Sequence, residues 1–291
     1  MIPSLFLLTL PLMSDFASQK GLEIREIEEG YSETPIYLLS EKGSPKYVAK
    51  EYKPGSRVLN NDLLGQRSAL ALHLCQLRVP KILSVETVGD TVVVTQEFVP
   101  GLSLWKIKDP EVFRQLGRGL REYHDKSTWQ VAPPSEKLVG HLNWVVERSV
   151  NRAEILGMTP EEMKRKIGTL GNQPVPWSLL HHDPQLGNYL YEAESGKISM
   201  IDFGDGASFI DEYGWGIGTP LYDYVKVADH LRFHKEECLI AFQEGYGPIG
   251  DEESLRYFYI VNAVASLEWH LKVKGKAHEP LMKRLHELFN E

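Results

Sequence analysis

His181-His182-Asp183-Pro184-Gln185-Leu186-Gly187-Asn188 and, a little further on, Met200-Ile201-Asp202-Phe203-Gly204-Asp205 are the two stretches on which the reading of this chain turns. Between them lie the apolar Tyr189–Tyr191 and the β-forming Ile198, on either side of a turn at Glu194–Gly196. This pattern predicts a β-hairpin, with Asp183 and Asn188 just before it and Asp202 just after it. Asp183 and Asn188 stand five residues apart and Asp202 follows Asn188 by 14. A hairpin would therefore bring all three to one end.

Two carboxylates and an amide at one point suit phosphoryl transfer. That reaction asks the protein for in-line positioning of a hydroxyl and for cations that offset charge on the phosphate oxygens. Mg²⁺ takes hard oxygen ligands, often one or two carboxylates plus phosphates. On this reading Asp183 accepts the proton of the acceptor, while Asn188 and Asp202 hold the metal.

The order HxD….N followed by DFG resembles the catalytic and metal-binding signatures of protein kinases. The details are closer to the aminoglycoside phosphotransferase and choline kinase-like branch. Pro184 and Gly187 precede Asn188, Asp205 follows the DFG stretch, and Pro220-Leu221-Tyr222-Asp223 resembles a later Pro-x-x-Asp of that branch. The resemblance spans roughly residues 22–245 and implies a two-lobed α+β fold with ATP and Mg²⁺ as cofactors. It makes His181 a support of the loop backbone, and it puts His182 where the family often has glycine.

The N-terminal half fits the same layout. Leu22–Glu28, Ile36–Leu39 and Tyr47–Tyr52 read as a three-strand meander, followed by a helix over 58–78 and strands at Val79–Val85 and Thr91–Phe98. The last strand is almost continuously apolar, which places it inside a sheet. By resemblance Lys50, on the third strand and on an exposed cleft wall, contacts the α/β-phosphates. Gly30 and Ser32 take the place of a phosphate-covering loop, and the backbone of Glu97 to Val99 holds the adenine edge. The helix after the Lys-bearing strand normally supplies a Glu to that Lys. No Glu lies between Arg57 and Arg78; Gln66 stands near the expected place and Asp62 one turn earlier.

From Asp109 the chain reads as helical, with a first helix to about His124, two more within 135–169 (the second opened by Thr159-Pro160-Glu161-Glu162), and three near 221–244, 251–273 and 279–290. Strands first and helices after give an α+β class. The expected domains are an N-lobe over 14–99 and a C-lobe over 100–291, hinged at Val99-Pro100-Gly101.

Composition narrows the function further. With 42% hydrophobic and 25% charged residues the chain is an ordinary globular one. Residues 171–291 carry 19 acidic against 10 basic side chains, and the rest carry 21 against 22. An acidic second half argues against nucleic acid as a partner and suits a cationic acceptor, while a solvated acidic surface accounts for it equally well. Glu136, Glu147, Glu154, Glu161 and Glu162 are candidates for an acidic wall, although solvated glutamates are the ordinary outcome. Cys75 and Cys238 form no CxxC pair and read as buried free thiols, which points to the reducing cytoplasm.

The apolar run Leu5–Leu12 is interrupted by Thr9 and Pro11, is too short to cross a bilayer and has no basic residue ahead of it. It reads as an extra segment packed on the body or as the product of a start upstream of Met13. His181-His182-Asp183 lacks the further ligands that zinc requires, and His230 and His234 have no Glu between them. Gly214-x-Gly216-x-Gly218 lacks the third glycine of a dinucleotide loop, since Thr219 stands there. The function expected is transfer of the γ-phosphate of ATP to a hydroxyl of a small molecule. The alternatives are a kinase for protein or a lipid-linked sugar, and a nucleotide-binding pseudokinase.

Overall fold

Alternating apolar residues build the first half of the chain around one antiparallel sheet. The computed structural model describes residues 9–27, 34–128, 130–132, 147, 153–168, 175–203, 217–275 and 278–290. Strands β1 (Glu23–Glu26), β2 (Ile36–Glu41), β3 (Ser44–Tyr52), β5 (Ile82–Val88) and β6 (Thr91–Glu97) lie in the order β1-β2-β3-β6-β5. β6 is thus an inner strand, and successive residues on it serve opposite faces. Val93 packs with Met13, Phe16 and Ala17 of helix α1 (Thr9–Gln19), and Val94 packs with Leu59 of helix α2 (Arg57–Ala71). A strand covered on both sides needs an apolar run, which is why its sequence hardly alternates.

Helix α2 starts where Ser56 accepts the backbone N–H of Leu59, at 3.3 Å. It stops at Ala71, well before the residue 78 expected from apolar spacing, because His73 adopts a left-handed backbone with φ +48°. The chain then forms the two-residue strand β4 (Leu77–Arg78). This correction moves Cys75 out of a helix and makes it exposed, whereas Cys238 is buried as expected.

The connector after α2 is pinned to helix α3 (Pro110–Ser127) by Glu122, which accepts the backbone N–H groups of Cys75 and Gln76, each at 2.9 Å. Burial by itself would raise this carboxyl. The hydrogen bonds from Lys126 and from those two N–H groups outweigh it and hold the pKa at about 2. A lowered folded-state value means that the stabilisation is complete above the ordinary glutamate range, near 4.5, and is lost as pH falls toward about 2. Glu122→Gln is therefore expected to cost about 1.5–3 kcal/mol at pH 7 and progressively less below pH 4, in urea melts across that range.

The second half is built on helices. Asp109 caps α3, accepting the N–H of Glu111 at 2.9 Å, and Thr159 caps α4 (Pro160–Ile167) through Glu162 N–H at 3.1 Å. Of the first helix expected within 135–169, only Glu147 and a short 3-10 turn, Ala153–Leu156, lie among the described residues. The helix expected over 221–244 is two helices, α5 (Leu221–His234) and α6 (Glu236–Tyr246), broken at Lys235. Lys235 leaves helical geometry, and its ammonium bonds the carbonyls of Leu104 and Ile107. Helices α7 (Glu252–Lys274) and α8 (Glu279–Asn290) complete the layer. α3 and α6 approach backbone to backbone at Gly117 and Gly245, where a Cβ would collide with the carbonyls of Phe242 and Arg114 respectively.

Strands β10 (Tyr189–Glu192) and β11 (Lys197–Met200) form the expected hairpin. It is clamped on one side by β4, parallel to β11, and on the other by β7 (Leu102–Ser103). A third sheet joins β8 (Gln130–Ala132), β9 (Val175–Leu179) and β12 (Ile217–Gly218). The architecture is a two-lobed, protein kinase-like α+β fold, with a smaller antiparallel lobe and a larger helical one.

Candidate active site

The hairpin ladder pairs Tyr189 with Met200, and Ile201 N–H donates to Asn188 carbonyl at 2.9 Å. Asn188 and Asp202 therefore leave the hairpin side by side, as the sequence predicts. The side-chain amide of Asn188 donates to Asp183, to its carbonyl at 2.8 Å and to its carboxylate at 3.2 Å. With its nitrogen engaged in this way, the amide keeps its oxygen as a hard donor atom. Gly187, just ahead of it, lies against the Trp105 indole, which a Cβ would approach to 3.3 Å.

Asp183 is held by three side chains. Gln185 amide donates at 2.7 Å, Asn188 as above, and Lys226 ammonium from α5 lies at 3.4 Å. Burial acts to raise its carboxyl, but Lys226, His181 and the Gln185 bond together lower it, so the group is an anion at neutral pH. Lys226 and Gln185 are contacts that sequence reasoning did not single out. Their only signal was proximity to the motifs, which says nothing about direction.

The backbone ahead of Asp183 is fixed from two sides. His181 ring N–H donates to Ile201 carbonyl at 2.8 Å, tying the loop to the residue just ahead of Asp202. Buried Asp223, from the Pro-x-x-Asp stretch, accepts the N–H groups of His181 at 2.6 Å and His182 at 3.0 Å, and contacts His124 at 3.3 Å. His182 is left-handed, with φ +68°, as is Asp202 with φ +62°. A glycine adopts such a backbone without strain, whereas other residues sustain about 1–2 kcal/mol.

Lys50 joins the cluster from β3. Its ammonium lies 2.9 Å from Asp62, 12 residues on, and 2.9 Å from Asp202, 152 residues on. It is not on an exposed wall: only 4% of it is accessible, because α2 closes over it. The missing Glu is replaced by Asp62, one turn earlier on α2. One Asp62 oxygen takes Lys50 and the Tyr52 hydroxyl, and the other takes Phe203 N–H at 3.1 Å. Gln66, at the expected place, instead donates to Pro80 carbonyl at 2.5 Å.

An aspartate is one methylene shorter than a glutamate, so the helix must come closer. Gly65 permits this, since a Cβ there would lie 2.9 Å from the Phe203 Cβ. Burial works against both charges, yet mutual attraction with its carboxylate partners drives the Lys50 pKa up, and Lys50, Tyr52 and Phe203 N–H drive that of Asp62 down.

Glu97 ends β6 with its carboxylate 2.6 Å from Arg78, and Val99 is buried; between them Phe98 N–H donates to Lys46 carbonyl at 3.1 Å. Gly30, Ser32 and Glu136 lie outside the described residues. Glu147, Glu154 and Glu161 are exposed, and Glu162 is half-buried. His230 packs its ring 5.5 Å from that of Trp105, and no group of three or more metal-binding side chains occurs among the described residues. Asn188 and Asp202 offer two hard oxygen donors at the end of the hairpin. Such a set fits Mg²⁺, which completes its shell with phosphate oxygens and water.

Solved structures share this architecture. The choline kinase LicA from Streptococcus pneumoniae superposes with TM-score 0.60 at 14% identity, covering 96% of this chain and 98% of its own. The macrolide 2'-phosphotransferase MphH from Brachybacterium faecium gives TM-score 0.60 at 17% identity, with 96% and 98% coverage. A thermostable mutant of aminoglycoside phosphotransferase APH(4)-Ia, in ternary complex with AMP-PNP and hygromycin B, gives 0.66 at 15% identity, with 95% and 97% coverage. No curated protein matches the chain by sequence. Residues 23–258, most of the chain, match the family described as "Phosphotransferase enzyme family", and the chain belongs to that family, APH.

Proposed function

We propose that this protein transfers the γ-phosphate of ATP, with Mg²⁺, to a hydroxyl of a small molecule. The observation that carries this reading is the convergence of an ionised Asp183 with Asn188, Asp202 and the Lys50 ammonium at one end of the hairpin. Asp183 receives the proton of the acceptor hydroxyl while that oxygen bonds to the γ-phosphorus. The bond from phosphorus to the bridging oxygen breaks, and its electron pair leaves with ADP. Lys50 has three N–H donors, two of them on carboxylates, and the third would donate to a phosphate oxygen of bound ATP. Asn188 and Asp202 would hold Mg²⁺, which supplies positive charge to the phosphates when bound.

Glu97 and Val99 would frame the adenine edge, with Gly30 and Ser32 on the loop over the phosphates. The lobes are assigned to 14–99 and 100–291. The assignment is supported by Gly101, whose φ of +139° and close approach to Tyr191 carbonyl (2.8 Å from an added Cβ) exclude a side chain at the junction.

The named relatives are kinases of an antibiotic or of choline, and the acidic second half of this chain makes hydroxylated amines the first class to test. Unlinked Cys75 and Cys238 support a cytoplasmic location. No helix among the described residues is long and apolar enough to cross a membrane, and no nucleic-acid partner is proposed.

A panel of hydroxylated amines, sugars and nucleosides, incubated with labelled ATP and Mg²⁺, should contain acceptors that gain the mass of one phosphoryl group. Mg·ATP at one hundred times its dissociation constant should stabilise the fold by about 2.7 kcal/mol. A melting curve unmoved by saturating Mg·ATP, with no transfer to any acceptor, protein or water, overturns the proposal.

A further inference from the structure

We infer that Lys226 is a positioning residue for Asp183, clamping both its carboxylate and the strained backbone that presents it. The inference rests on the assignment of Asp183 to proton transfer. Lys226 lies in the second turn of α5, three residues after Asp223 and so on the same face of the helix. From there its ammonium donates to His182 carbonyl at 2.7 Å and lies 3.4 Å from the Asp183 carboxylate, with the Tyr222 ring 5.3 Å away.

Asp223 meanwhile accepts the N–H of the same His182. One peptide unit on each side of the His182 α-carbon is therefore gripped by α5, one through its N–H and the other through its carbonyl. His182 is the residue held at φ +68°, the conformation that a side chain disfavours. Without the two grips the backbone would relax toward an ordinary region and swing Asp183 with it.

The ammonium also limits the rotation of the carboxylate. Gln185 and Asn188 both donate to one carboxylate oxygen of Asp183, and Lys226 lies against the other. The side chain is only 23% exposed, so its charge is little screened. No part of this contact is visible in the HxD….N spacing, because Lys226 lies 43 residues beyond Asp183.

The test compares wild type, Lys226→Met, Asp183→Asn and the double variant. Lys226→Met should lower kcat by roughly 10–100-fold, the scale of a reacting group displaced by about 1 Å, with KM for ATP within about twofold. Added to Asp183→Asn it should cost no more than about twofold, because the group it positions is already disabled.

Amide hydrogen exchange provides a readout that needs no acceptor. His181 and His182 should exchange faster in Lys226→Met, with helices α6 and α7 unchanged. Should Lys226→Met fail to fold, Lys226→Gln keeps a polar side chain in the slot and takes its place. Unchanged kcat, a loss expressed in KM for ATP, full additivity with Asp183→Asn, or unaltered exchange at His182 would each overturn the inference. A wild type that neither binds ATP nor transfers phosphate refutes the phosphotransfer reading instead, and the exchange comparison still decides the clamp.

Discussion

Asp183→Asn is expected to lower turnover by roughly 10²–10⁴-fold, the usual contribution of a general base, while the dissociation constant of Mg·ATP changes little. Asparagine keeps the shape and can still occupy the pocket between Gln185, Asn188 and Lys226. It loses the negative charge and the basicity that the acceptor proton needs. The nucleotide side of the site is built from Lys50, Asn188 and Asp202, so binding survives. Steady-state kinetics with the acceptor found in the panel, set beside calorimetric titration with Mg·ATP, separate the two effects. Retained turnover would remove Asp183 from the role of base. Lost turnover accompanied by lost ATP binding would place it in the metal site.

Lys50→Met should cost both activity and stability, about 3–5 kcal/mol of the latter. A lysine on an exposed wall would tolerate this change with its fold intact. Here it is 4% accessible, and its partner Asp62 is 2% accessible. Removing the ammonium leaves a buried carboxylate with, among the described residues, the Tyr52 hydroxyl and Phe203 N–H as donors. An uncompensated buried charge is one of the few single changes that destabilise on this scale.

Asp62→Leu combined with Lys50→Met removes both charges and should recover much of the stability without any activity. The check is urea denaturation of the three proteins alongside phosphate transfer. Equal stability of wild type and Lys50→Met would show that Asp62 does not depend on Lys50. The Asp62 arrangement also explains why a helix lacking glutamate need not mark a degraded enzyme. Gly65 lets α2 approach Phe203, and the approach makes up for the shorter side chain.

Some of this was legible in the residues themselves. The hairpin between Asn188 and Asp202 follows from local rules, since a Gly-containing turn between two β-forming runs leaves little choice of pairing. The same holds for the capped starts at Asp109 and Thr159, where a side chain bonds a backbone group only two or three residues away. Elements whose limits are set locally came out where their signals stood. The helix after Ser56 ran on in the sequence to residue 78 because its apolar spacing continued, but His73 turned the chain so that Leu77 and Arg78 could pair with β11. The break at Lys235 likewise depends on carbonyls of residues 104 and 107, which lie far away in the chain.

By itself, then, the sequence determined the kinase-like order of elements and the positions of Asp183, Asn188 and Asp202, because spacing across one hairpin is a short-range matter. Only the tertiary structure decided which carboxylate meets Lys50, that this lysine is buried, and that Lys226 stands behind Asp183. These contacts span 12, 152 and 43 residues. Their partners are chosen by how closely helices α2 and α5 approach the hairpin, and that distance is set by packing at residues such as Gly65 rather than by any pattern along the chain.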